Sequence, residues 1–122
     1  MRYFNPAEFM CKHCGLNKMD GVFLDDLDEL RHRLGFPLSV ASGYRCPTHN
    51  AAVSTTGEDG PHTTGRAVDL AVRGEQALEV IRQARLMGFT GIGVQQKGAT
   101  RFIHLDNLPN APGQPRPWLW SY

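Results

Sequence analysis

Two apolar segments of this chain each carry an ionisable residue at their centre, and this feature constrains the fold most. Asp69 lies within Ala-Val-Asp-Leu-Ala-Val at positions 67–72, and His104 lies within Phe-Ile-His-Leu-Asp at positions 102–106. A buried carboxylate is costly without a metal ion, an arginine or several hydrogen-bond donors beside it. The fold must therefore bring a partner to each of these residues.

A third residue, His62, lies in the loop just before the Asp69 segment and is close enough to reach the same point. A histidine on its own is more often a surface or hydrogen-bonded core residue than a ligand. Two imidazoles and one carboxylate together hold a zinc ion and leave its fourth position open. We therefore predict that His62, Asp69 and His104 bind Zn²⁺, and the open position indicates a catalytic metal.

Asp106 follows His104 by two residues, so both side chains point to the same face of a strand. Its carboxylate could accept the second N–H of a metal-bound histidine, or act as the base on a metal-bound water. A third interpretation is that Asp106 caps the turn after the strand. The residues alone leave these roles open.

The spacing of apolar residues predicts three helices. The first begins after Asp20 as the N-cap and ends at Gly35. A short second helix opens at Pro47 and continues to position 53, and the third covers positions 75–87. The residues expected to face the core are Phe23, Leu27, Leu30 and Leu34 in the first helix and Ala77, Leu78, Ile81 and Ala84 in the third.

Strands are predicted at positions 37–42, 67–72, 91–95 and 101–106, and the last two form a hairpin. Positions 54–66 are rich in glycine and threonine and form a loop. Alternation within the second strand places its bulky residues, Val68, Leu70 and Val72, on the core face. The opposite face carries small residues and leaves room around Asp69.

Length and composition predict one domain of residues 1–122, with 41% apolar and 20% charged residues. Residues 1–19 are interpreted as an irregular N-terminal arm. Four prolines between positions 108 and 117 exclude regular structure there. The aromatic end of this 108–122 tail is expected to fold back onto the domain.

The charge pattern argues against two classes of partner. The formal net charge is +1, from 13 basic and 12 acidic residues, and no basic stripe for nucleic acid is visible. The chain has no apolar stretch long enough for a signal peptide or a membrane span. We therefore expect a monomer that is cytoplasmic as synthesised and binds neither nucleic acid nor membrane.

Three cysteines suggest a second site. Cys11 and Cys14 form a C-x2-C pair, and Cys46 with His49 forms C-x2-H, so together they could make a Cys3His zinc site. The alternatives are a disulfide from Cys11 or Cys14 to Cys46, or three free thiols.

Three segments carry a family resemblance. Ser-Gly-Tyr-Arg at positions 42–45 matches the motif S-G-Y-R, and positions 102–106 match F-[IV]-H-[LV]-D. The motif S-x-H-x-x-G-x-A-x-D is met at His62, Gly65, Ala67 and Asp69, with Gly60 in place of its serine. In this order the segments resemble the peptidase M15 family of zinc D-Ala-D-Ala carboxypeptidases, especially its small phage and bacterial peptidoglycan-cleaving branch. The likeness extends over almost the whole chain, from Phe4 to the C-terminal residues 120–122.

The resemblance implies an α+β fold with a small antiparallel sheet, helices packed on one side and zinc on the open side. It implies the zinc ligands His62, Asp69 and His104, with Arg45 binding substrate near the metal. The implied reaction is hydrolysis of a peptide bond in the stem or cross-bridge of bacterial peptidoglycan, by a carboxypeptidase or an endopeptidase. Relatives place an acid or histidine three residues before the last ligand; here that position is Arg101, which is no base, so Asp106 is the substitute.

Other functions remain to be weighed against this one. Arg101 favours a zinc-bound binding module of the same fold without turnover. An H-x-T phosphodiesterase is excluded because a second such motif is missing, and a zinc finger for nucleic acid lacks the basic face. A wall-cleaving enzyme without an export signal would reach its substrate after cell lysis, through a pore or as part of a virion, which favours a phage or prophage origin.

Overall fold

A single five-stranded sheet organises the protein, for which a computed structural model describes residues 1–122. Its strands are β1 (Val40–Ser42), β2 (Ala67–Leu70), β3 (Gly91–Gln95), β4 (Phe102–Asp106) and β5 (Trp118–Ser121). Their spatial order is β1-β2-β4-β3-β5, so the central strand is β4.

The sheet is mixed, and this corrects the expected antiparallel arrangement. Strands β1 to β4 pair antiparallel with their neighbours, but β5 pairs parallel with β3. The reason lies in the path of the chain: β4 ends with Asp106 opposite Gly91, where β3 begins. The chain returns to that same end, with Trp118 opposite Gly91, and so runs in the direction of β3.

The two faces of the sheet differ in character because side chains alternate along each strand. Val68 and Leu70 of β2, with Ile103 and Leu105 of β4, belong to the hydrophobic core. The intervening residues of these strands therefore point to the other face. The α+β class and the position of the ionisable residues opposite the helix-covered core agree with the sequence prediction.

Three helices accompany the sheet: α1 (Gly21–Leu34), α2 (Pro47–Val53) and α3 (Gly74–Met87). The predicted ends of α1 are confirmed, since the Asp20 side chain accepts a hydrogen bond from the Phe23 amide and Gly35 is left-handed with φ of 74°. Helix α3 packs against α1 and β4. None of the helices has the length and apolar character needed to cross a bilayer.

The predicted inward face of α3 is wrong at one position. Ala77 and Ala84 are buried as expected, but Leu78 is 68% exposed and Val80 takes the buried place. Residues three or four apart share a helix face, so Ala77, Val80 and Ala84 form one stripe. Leu78 is one residue further round the helix and faces solvent.

The two ends of the chain both pack onto the domain. The N-terminal arm contains a 3-10 helix, Pro6–Phe9, and buries Phe4 and Phe9 in the core. Asp28 of α1 accepts hydrogen bonds from the amides of Arg2 and Tyr3. At the other end, positions 108–117 form no helix or strand, and the chain then enters β5.

Candidate metal centre

The register of the sheet brings Asp69 and His104 together. They are directly opposite on the antiparallel strands β2 and β4, so their side chains emerge side by side on one face. Asp69 Oδ1 lies 3.1 Å from His104 Nδ1. The strand alternation seen in the sequence thus places both residues on the face away from the core.

His62 approaches the same carboxylate from a short 3-10 helix, Pro61–Thr64, that precedes β2. Its Nε2 lies 3.3 Å from Asp69 Oδ1, while its Nδ1 lies 2.9 Å from the Gly43 carbonyl oxygen. A carbonyl only accepts, so Nδ1 carries the proton and donates it. The Nε2 lone pair is therefore directed to the cluster.

Gly65 makes this approach possible. It is left-handed, with φ of 75°, and turns the chain from the 3-10 helix into β2. A Cβ at this position would collide with the Lys18 carbonyl oxygen. Both the backbone angle and the close approach require glycine.

The ligand atoms of His62, Asp69 and His104 all lie within 4.8 Å of one another, and all three residues are buried. Two neutral imidazole nitrogens and one carboxylate oxygen are ligands that zinc prefers, and three protein ligands leave a position open. The donor set therefore fits a metal ion with one open coordination position. Such an ion would act as a Lewis acid, which polarises a substrate carbonyl and lowers the pKa of a water molecule bound to it.

The charge of Asp69 suits a cation. Burial opposes ionisation, but the contacts of the Asp69 carboxylate with the His104 and His62 imidazoles outweigh it and hold the pKa of Asp69 well below its usual range. Burial likewise opposes the charged form of His104, but hydrogen bonds to Asp106 and Asp69 raise its pKa. A cation at this point would therefore replace the proton that His104 holds between two carboxylates.

Asp106 lies behind His104, with no exposed surface. Its Oδ2 is 2.8 Å from His104 Nε2, and its Oδ1 accepts from the Arg116 Nε at 2.9 Å. With a metal ion bound, an Nε2–H donated to Asp106 would leave the Nδ1 lone pair of His104 free for that ion. Of the roles left open by the sequence, this placement favours orienting the histidine over acting as a base.

Arg116 contacts Asp106 and Trp120 packs against His104, and sequence reasoning missed both contacts. The Arg116 side chain is buried and lies over the Trp120 ring, 5.1 Å from its centroid, and this ring is 4.9 Å from that of His104. The contact of Arg116 could have been anticipated from the sequence. A buried carboxylate beside a histidine needs a further cation, and Arg116 is the single basic residue after Asp106.

Arg45 reaches the cluster from the loop after β1. Its Nη2 lies 3.3 Å from Asp69 Oδ2, its Nε donates to Ser42 Oγ at 3.0 Å, and its Nη1 donates to Asn50 Oδ1 at 3.3 Å. These contacts hold the guanidinium in one orientation beside the donor cluster. Asn50, which is almost fully buried, is a supporting residue that the sequence did not single out.

The cluster opens into a pocket of about 650 Å³ that Arg45, His62, Asp69 and His104 line. Residues of the C-terminal strand, including Trp120 and Tyr122, form part of its wall. Asp69 is the one acidic side chain among the lining residues. Arg101 is not among them, and its Nε donates instead to the Gly98 carbonyl oxygen.

Comparison with known proteins agrees with this geometry. The sequence model of the family described as Peptidase M15 matches residues 2–106, which include all three residues of the donor cluster and Arg45. A comparison with curated proteins found no match to the chain. The matched region covers most of the sequence, and the chain belongs to the peptidase M15 family.

Proposed function

We propose that this protein is a zinc-dependent peptidase that hydrolyses peptide bonds of bacterial peptidoglycan, as a carboxypeptidase or an endopeptidase. The observation that carries the proposal is the convergence of His62, Asp69 and His104 at the wall of an open pocket beside Arg45. Membership of the peptidase M15 family supports the class of reaction.

The chain's own residues would hold the metal in one geometry. Gly43 fixes the tautomer of His62, and Asp106 fixes that of His104. Such partners of metal-binding histidines keep the ring orientation and raise the basicity of the ligand nitrogen. The unbound Oδ2 of Asp69 is occupied by Arg45.

Arg45 is the residue we assign to the substrate. A guanidinium presents two parallel N–H groups, which match the two oxygens of a carboxylate. In a carboxypeptidase it would bind the terminal carboxylate of a stem peptide, such as one ending in D-Ala-D-Ala. In an endopeptidase it would instead stabilise the oxyanion that develops at the scissile carbonyl.

The pocket also supports a second candidate function. Asp69 is the single acidic side chain that lines the pocket and is a proposed ligand, so no second Asp or Glu lies there to accept a proton from water. This observation favours a zinc-bound module that binds peptidoglycan peptides without cleaving them.

Purified peptidoglycan and a synthetic peptide ending in D-Ala-D-Ala distinguish the two functions. We expect the zinc-loaded protein to cleave peptide bonds in at least one of these two substrates, which is measured as newly formed amino groups. His104→Ala or a chelator should abolish this cleavage. His32→Ala, an exposed histidine outside the pocket, serves as the control and should retain activity. Sedimentation with peptidoglycan without any cleavage would overturn the peptidase and support the binding module.

A further inference from the structure

A second group of metal-binding side chains lies outside the pocket. Cys11 and Cys14 follow the N-terminal 3-10 helix, and Cys46 is the N-cap residue of α2. Their sulfur atoms all lie within 4.8 Å of one another, and none forms a disulfide. Three thiols from two distant parts of the chain therefore converge on one point.

The backbone around Cys11 holds this arrangement. The Cys11 amide donates to the Leu16 carbonyl oxygen at 2.7 Å, and the Gly15 amide donates to the Cys11 carbonyl oxygen at 2.8 Å. Gly15 is left-handed, with φ of 73°. This closed loop keeps Cys11 and Cys14 on the same side, as a C-x2-C metal loop requires.

The distances suit tetrahedral zinc. With Zn–S of about 2.3 Å and Zn–N of about 2.0–2.1 Å, ligand atoms lie about 3.6–3.8 Å apart. The three sulfurs of the cluster lie within 4.8 Å of one another, which is near this separation. His13 Nδ1 is 3.4 Å from Cys46 Sγ, so an imidazole already lies beside the thiols.

A backbone donor also faces the sulfurs. The Cys46 amide lies 3.4 Å from Cys11 Sγ, in position to donate a hydrogen bond. Amide donors of this kind favour the thiolate, the form that binds metal. His49, the fourth ligand expected from the sequence, instead stacks on His13 with ring centroids 6.0 Å apart.

From this geometry we propose that Cys11, Cys14 and Cys46 bind a structural zinc ion, with His13 as the fourth ligand. Four protein ligands leave no open position, so this ion would be structural rather than catalytic. It would tie the N-terminal arm to the loop that carries Arg45, the residue before Cys46. The arm already touches this loop where the Tyr44 amide donates to the Phe9 carbonyl oxygen at 2.9 Å.

Metal analysis of the full chain tests the proposal, independently of any enzymatic activity. Purified under reducing conditions with zinc, the wild type should hold two zinc ions per chain. Cys14→Ser and His62→Ala should each hold one, and the double variant none. Cys14 is exposed, so its replacement should leave the fold intact, which near-UV circular dichroism can check.

Cobalt identifies which site each ion occupies. Replacement of zinc by Co²⁺ should give thiolate-to-metal charge-transfer bands in the wild type and in His62→Ala, but not in Cys14→Ser. His13→Ala should weaken binding at the thiolates, while the matched His49→Ala should not. The reverse order of these two histidines would overturn the assignment of the fourth ligand.

The reactivity of the three thiols provides a further test of the proposal. Bound zinc should slow the reaction of the three thiols with a disulfide reagent by at least tenfold. An equal rate with and without zinc, with one metal per chain in wild type and Cys14→Ser alike, would overturn the proposal. A loss of two mass units in the purified protein would show a disulfide instead and would also overturn it.

Discussion

Arg116 donates two hydrogen bonds to the carboxylate of Asp106, from Nε at 2.9 Å and from Nη2 at 2.8 Å. The two residues are separated by ten positions and by the proline-rich part of the tail. Asp106 in turn orients His104, a proposed metal ligand. The C-terminal segment is thus linked to this proposed ligand through one buried carboxylate.

Asp106→Asn should weaken metal binding. An asparagine keeps the size of the side chain but is a poorer acceptor for the His104 Nε2–H, so the tautomer and basicity of the ligand change. We expect zinc affinity at this centre to fall by about 10–100-fold, the usual effect of losing such a partner. Competition with a chromophoric chelator would measure it, and an unchanged affinity would contradict the role assigned to Asp106.

The ionised Asp106 carboxylate should also stabilise the metal-free protein in a way that depends on pH. Burial opposes ionisation of Asp106, but hydrogen bonds from His104 and Arg116 outweigh it and lower its pKa from 3.8 to about 2. Because the folded-state pKa is depressed, this stabilisation is present above pH 4 and is lost as the pH falls through 2. Its size is about 2 kcal/mol, since one pKa unit corresponds to about 1.4 kcal/mol.

In Asp106→Asn, residue 106 no longer changes its charge with pH, while all other acidic residues still do. The gap in free energy of unfolding between wild type and variant should therefore narrow by about 2 kcal/mol between pH 5 and pH 2. Urea unfolding at a series of pH values would measure the gap. A gap that stays constant with pH would show that Asp106 is not held ionised by its neighbours.

Gly91→Ala should disturb the centre from the neighbouring strand. Gly91 lies directly opposite Asp106, and an added Cβ would collide with the Asp106 carboxylate. The carboxylate is held by several donors and cannot move freely, so we expect a loss of stability of about 1–3 kcal/mol, as for overpacked cores. Gly21→Ala is the matched control, because no atom lies near its added Cβ and its stability should be unchanged or slightly higher.

Arg45→Lys tests whether Arg45 acts through its positive charge alone or through its paired N–H groups. Lysine retains the positive charge but loses the two parallel N–H groups that match a carboxylate. If Arg45 binds the terminal carboxylate of the substrate, kcat/KM should fall by about 10–100-fold, the equivalent of one charged hydrogen bond. The amount of zinc bound per chain should be the same as in the wild type.

Arg101→Lys is the control for Arg45, because Arg101 lies outside the pocket and should tolerate the change. Steady-state kinetics on a D-Ala-D-Ala peptide would measure both variants. Equal activity of Arg45→Lys and wild type would remove Arg45 from the substrate site.

The sequence was sufficient to predict which three side chains, His62, Asp69 and His104, lie together in the structure. Asp69 and His104 lie at the centres of apolar strands, where burial of an ionisable group requires a partner, and alternation assigns them to the same face. These are local properties, so they can be derived without coordinates. The ends of α1, set by Asp20 and Gly35, are local for the same reason.

The tertiary structure alone decided how these residues are supported. The parallel pairing of β5, the contact of Arg116 with Asp106 and the contact of Arg45 with Asp69 depend on where loops carry the chain. Loop paths follow no periodicity, and one arginine can reach many carboxylates from a flexible segment. The choice of partner is made only when the whole domain packs, because the buried charge is then paired with whichever cation the fold brings to it.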